Sequence, residues 1–345
     1  EGLIDAVAVA VSGDTAYLAV LALRADRSSG LEVVDVSDPA AVRSVGLLRQ
    51  PTVGAAVAVS AGRGVLAALY DGIWTFDARD PRGASAVPAE SSSEPARAVV
   101  VAEGIAYVAA DDDGLRLLTL DGAGPAREIG SVDVPGALAV AVAGTRAYVA
   151  TPGGGVAVVD VSDPLAPRQV GLVGLVGSWS VAAAGDMVYV PVDTGRLWVV
   201  DASDPGAPET RGWCALDGRP EGIAVAGGYA YVGDRFEVAL NVVAVRDPTA
   251  PRLVARLDVP GSVRDVTLAG RHAYLAGGRD GVRVVDVGRP EAPRLVATFD
   301  THGGAAAVAV EDDRVLVADW EGGLTVLHVE LPAALPVFMP VALGR

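Results

Sequence analysis

The chain has no lysine and a single asparagine, Asn241, among its 345 residues. All 27 of its basic residues are arginine. Lysine and asparagine use AT-rich codons, so their scarcity reads as the mark of a GC-rich genome and not of a function. Against those cations stand 43 acidic residues, for a formal net charge of −16. No basic stripe interrupts the excess, which argues against nucleic acid as a partner, since such binding rests on cations facing phosphates. One cysteine, Cys214, excludes an intramolecular disulfide. It sits beside Trp213 in a strand and reads as a buried, unreactive thiol, since reactivity would need a nearby base or cation. The three histidines, His272, His302 and His328, are too scattered to converge on a metal. No stretch of 18 residues is apolar without interruption, so no membrane span is expected. H-E-x-x-H, G-x-S-x-G and P-loop motifs are all absent, and no cofactor is expected.

What the chain does have is repetition. VVDVSDPLAPR (Val158 to Arg168) returns as VVDVGRPEAPR (Val284 to Arg294). The proline of each copy falls at Pro39, Pro81, Pro164, Pro205, Pro248, Pro290 and Pro332, with Ala123 in a degenerate copy. The steps are 42, 42, 41, 41, 43, 42 and 42 residues. A fixed period of about 40–45 residues with strand-like segments in each unit predicts a radial array of small sheets.

One unit shows why. LAVAVAG (138–144), RAYVAT (146–151), GGVAVVDVS (154–162) and APRQVGLV (166–173) are short runs rich in small and β-branched residues. Gly, Pro and Asp separate them, as in a four-stranded antiparallel meander, strands A to D. In Ser162-Asp163-Pro164 the aspartate can bond the backbone two residues on, and proline presets the next φ. Strand A is apolar on both faces and crowded with Ala, Gly and Ser. That suits the inner ring of a closed propeller, each sheet lying between two others. The expectation is therefore an all-β, eight-bladed β-propeller of four-stranded blades over residues 1–345, with a seven-bladed form as the alternative. The tail 335–343 reads as the last outer strand, and 23–30 as an insertion between strands B and C of the first unit.

The VVDVSDP phrase, followed by APRLV and a V-P-G turn, resembles the LVIVD-repeat family. The resemblance spans nearly the whole chain. It is specific in the copies ending at Arg43, Arg168, Arg252 and Arg294 and weak around Thr119 and His328. It implies a β-propeller on a secreted or cell-surface prokaryotic protein, and no single activity. The chain opens at Glu1 with neither Met nor a basic-plus-apolar leader, a start that cleavage of a signal would also leave.

The aspartate of the repeat recurs at Asp35, Asp77, Asp160, Asp201 and Asp286, replaced by Thr119, Ala244 and His328 in other units. A residue at one position around a ring is architectural, tying strand C to a turn or an arginine. Asp111-Asp112-Asp113-Gly114 resembles a calcium loop only in the spacing of Asp111 and Asp113, a weak metal alternative to a solvated turn. Six residues before the A–B turn glycine the units read Val7, Ala56, Arg97, Leu138, Trp179, Glu221, Arg264 and Ala306. That column should ring one mouth of the central channel. Arg97, Trp179, Glu221 and Arg264, with Asp265 and His302 nearby, form the candidate ligand site. Trp offers a flat face and Arg a fork for a carboxylate. The plainer reading is that these side chains plug the channel and pair with one another.

No catalytic residue is assigned. The leading expectation is a monomeric, non-enzymatic binding module taking a glycan, peptide or protein at the mouth. One alternative is a carbohydrate hydrolase or lyase using Glu221, Asp265 and His302, which requires Glu221 and Asp265 to share a cavity. Another is a structural domain of a surface protein.

Overall fold

The computed structural model describes residues 5–12, 14–21, 30–37, 43–49, 54–60, 63–68, 72–77, 87–88, 95–120, 126–301, 304–311, 314–319 and 323–328. Within them the chain forms eight antiparallel sheets, each a meander in chain order. Seven have four strands and span 5–49, 54–88, 98–132, 139–173, 182–215, 220–258 and 265–299. The sheet at 305–328 has three. The expectation of eight four-stranded blades is corrected accordingly: among the described residues, complete four-stranded blades number seven. The strand expected at 335–343 lies outside the described residues. Residues 23–29 of the expected insertion also lie outside them.

Where the repeat is clearest, strand boundaries follow it. The sheet at 139–173 consists of Ala139–Ala143, Arg146–Thr151, Gly155–Asp160 and Arg168–Val173. Strand A of each sheet packs against strand A of the next, and Ala305–Glu311 returns to Asp5–Ser12. The strands thus close into a ring with strand A innermost. At the closing seam Ala6, Leu18, Val34 and Ala307 share one cluster.

The core lies in the seams between sheets. Tyr148 and Val158 of one sheet, for example, pack with Val188 and Val200 of the next. Burying each such side chain contributes roughly 1.5–3 kcal/mol. The repeated phrase is explained by two contacts. The aspartate oxygen accepts from the backbone two residues on, as Asp160 does from Ser162 N–H (3.0 Å) and Oγ–H (2.6 Å). An arginine closes the other side, Arg168 on Asp160 and Arg211 on Asp201 (2.8 Å). The architectural reading of that aspartate holds at Asp35, Asp160, Asp201 and Asp286, though these carboxylates are half-buried and not core. Second, the strand D glycine receives the proline turn of the next sheet. A Cβ on Gly171 would stand 2.1 Å from Pro205 O and 2.9 Å from Pro208 Cδ, and Gly130 and Gly212 face their neighbours alike.

Candidate functional site

At the end of the ring where strand A begins, the loops before strand A and the B–C turns of two adjacent sheets meet. Strain and close contact fix them. Gly177 has φ 87°, and a Cβ there would meet Asp193 Oδ1 at 2.3 Å, so only glycine allows this approach. Ser178 is fully buried and its hydroxyl donates to Gly155 O (3.1 Å), anchoring the segment that presents Trp179. In the next sheet Asp234 is fully buried. Its Oδ1 accepts from the N–H groups of Phe236 (2.8 Å) and Glu237 (2.7 Å), which shapes the turn bearing Arg235 and Phe236. Arg235 N–H also donates to Arg219 O (3.3 Å), joining the turn to the loop that leads into Glu221.

These segments enclose a cavity of about 170 Å³, lined by Trp179, Asp193, Arg219, Glu221, Arg235 and Phe236. Trp179 is 49% exposed and Phe236 is 60% exposed. The ion pairs inside it are loose: Arg235 to Glu221 at 3.5 Å and Arg219 to Asp193 at 3.9 Å. Both guanidinium groups also lie over Phe236, at 5.6 Å for Arg219 and 5.7 Å for Arg235. Burial pushes the Glu221 carboxyl above the usual range, opposed by Arg235, Arg264 and Arg219. Arg264 is pushed down by its own burial and by the charge of Arg235. It stands close enough to act on Glu221 electrostatically.

Of the six mouth residues expected from sequence, the structure gathers Trp179 and Glu221 into one cavity and sets Arg264 beside them. Arg97 is not among them. It pairs with Asp111 at 2.6 Å in its own sheet. Asp265 turns away from Glu221: its carboxylate accepts from Val308 N–H (3.2 Å) and Val266 N–H (2.9 Å), tying two sheets together. The Glu221–Asp265 pair required by the hydrolase alternative therefore does not share this cavity. His302 lies outside the described residues. Asp111 and Asp113 go to different arginines, Arg97 and Arg116 (2.9 Å). No group of three potential metal ligands gathers among the described residues. Arg219, Arg235, Phe236 and Asp193 were not anticipated, because they lie outside the strand A column. The signal was there: most B–C turns are glycine-rich, while this one reads Asp234-Arg235-Phe236-Glu237.

The LVIVD-repeat family model matches residues 5–47, 136–173, 177–215, 217–259, 260–301 and 302–335. These spans make up more than half of the sequence. The chain belongs to the LVIVD-repeat family. None of the curated proteins matches it in sequence. Solved structures match this LVIVD-repeat ring in fold. The computationally designed Ika8 protein superposes with a TM-score of 0.75 at 12% identity, over 95% of this chain and 98% of that one. Sqt1 from Chaetomium thermophilum, bound to the N-terminus of the ribosomal protein L10, gives 0.76 at 14% identity over 95% and 97%. BamB from Moraxella catarrhalis gives 0.62 at 16% identity, over 82% of each chain. At these identities the likeness is one of fold.

Proposed function

We propose that this LVIVD-repeat protein is a non-enzymatic binding module that grips a protein or peptide segment at the channel mouth. One observation carries the reading: two exposed aromatic rings, Trp179 and Phe236, converge with two loosely paired arginines on a single cavity. The few residues that dominate the energy of protein interfaces are enriched in Trp, Tyr and Arg. A cavity of about 170 Å³ suits one inserted side chain better than a whole drug-sized ligand. Arg219 and Arg235 leave guanidinium donors for acidic groups flanking that side chain. Sqt1 supports this class of use, as a ring of the same fold that holds the end of another protein. A monomeric state and a location outside the cell or on its surface belong to the same proposal.

The test is a displayed peptide library selected on the immobilised protein. A peptide is expected whose binding falls at least tenfold with Trp179→Ala and with Phe236→Ala, a loss of about 1.4 kcal/mol or more. Selected peptides that bind both variants as tightly as the parent would remove the mouth from the proposal.

A further inference from the structure

A second cavity lies away from the mouth, where strand A hands over to strand B. It occupies the seam between the sheets at 220–258 and 265–299 and measures about 250 Å³. Its walls are mostly apolar, from Tyr229, Tyr231, Leu268, Val287 and Pro290, and they include the exposed Arg246.

Departures from the repeat meet at this seam. Tyr229 stands where the sheet at 139–173 has Arg146. There the guanidinium crosses the seam and donates to Asp186 and to Ala202 O (2.7 Å). Ala244 and Arg246 stand where that sheet has Asp160 and Ser162, which bond each other. Gly228, with φ 82°, replaces Thr145. A Cβ on Gly228 would meet Arg246 Cγ at 2.3 Å, so its absence lets the arginine fold over the turn. Ala255, opposite Val242, takes the register of Gly171 and Gly212. A methyl therefore stands where three other seams, at Gly130, Gly171 and Gly212, admit the neighbouring proline turn.

Arg246 is the unusual member. Its Nε and Nη2 donate weakly to Gly227 O, at 3.4 and 3.2 Å, and it lies 5.3 Å over the Tyr229 ring. Among the described residues no carboxylate pairs with it, whereas Arg271 in the same cavity is taken by Asp286. A guanidinium carries five donors in a planar fork that matches a carboxylate. An apolar cavity of about 150 Å³ is enough for benzene.

We propose that this seam binds a small organic acid bearing one aromatic ring. The ring enters between the tyrosines and Leu268, and the carboxylate meets Arg246. The site is independent of the mouth.

The experiment titrates the whole protein with phenylacetate and with its neutral analogue phenylacetamide, by calorimetry or ligand-observed NMR. Phenylacetate should bind about tenfold tighter than the amide, the worth of one charge-assisted contact. Arg246→Ser should remove that difference, and Trp179→Ala should leave it intact. If Arg246→Ser does not fold, the acid-to-amide ratio in the parent and in Trp179→Ala still decides. Equal binding of acid and amide, no binding at millimolar concentration, a ratio untouched by Arg246→Ser, or one abolished by Trp179→Ala would each overturn the proposal.

Discussion

Replacing Gly171 by alanine places a methyl 2.1 Å from Pro205 O and 2.9 Å from Pro208 Cδ. Neither neighbour can rotate away, since one is backbone and the other a proline ring. Overpacking of this kind costs about 1–3 kcal/mol. The φ of Gly171 is not positive, so alanine can take its backbone without strain. Restricting the unfolded chain then returns about 0.4–1 kcal/mol. The net expectation is a loss of about 1–2 kcal/mol. At about 2.1 cal/mol/K of unfolding entropy per residue, 345 residues melting as one unit would lose about 1–3 °C in Tm. Combining Gly130→Ala, Gly171→Ala and Gly212→Ala, each in a different seam, should add to about 4–8 °C. Gly174→Ala is the control: no atom lies within 4 Å of its added methyl, and its φ is not positive. Differential scanning calorimetry of the single, triple and control variants reads the effect. If Gly171→Ala melts with Gly174→Ala, the strand D glycine is not what admits the next sheet, and the packing account of the repeat fails.

Two further outcomes follow from the buried and turn carboxylates. Asp265→Ala should destabilise by about 1–3 kcal/mol, because the N–H groups of Val308 and Val266 lose their acceptor; a neutral result in urea unfolding would show water replacing it. The Ser203 hydroxyl and N–H, with Arg211, hold the Asp201 carboxyl at about 2, below the usual aspartate value of 3.8. A folded-state pKa below the unfolded one means stability that is present above 3.8 and lost as pH falls through about 2. Asp201→Asn should therefore narrow its stability gap to the parent between those limits, and a constant gap across acid titrations would contradict that sign.

The ring was largely legible in the sequence because the repeat places turn residues at a fixed period, and turns set strand boundaries. The chemistry of the mouth was only half legible. Aligning the start of strand A picks out Trp179 and Glu221, which line one cavity. An alignment column says where a Cα stands, not which way a side chain turns. Arg97 is captured by Asp111 of its own turn, and Asp265 by the backbone of the next sheet. Arg219, Arg235 and Phe236 arrive from loops outside the column, and only the folded turn at Asp234 brings them in. The seam cavity was invisible for a related reason. Tyr229 and Arg246 both line it, and each alone reads as ordinary repeat variation.

Two tryptophans offer a direct test of the mouth as the binding surface. Trp179 is 49% exposed at the mouth, and Trp213 is 47% exposed on an outer strand. Hydroxyl-radical footprinting with a selected peptide in saturating amount should protect Trp179 and Phe236 and leave Trp213 oxidised at the free rate. Protection of Trp213 with Trp179 still reactive would place the partner on the outer rim and contradict the account.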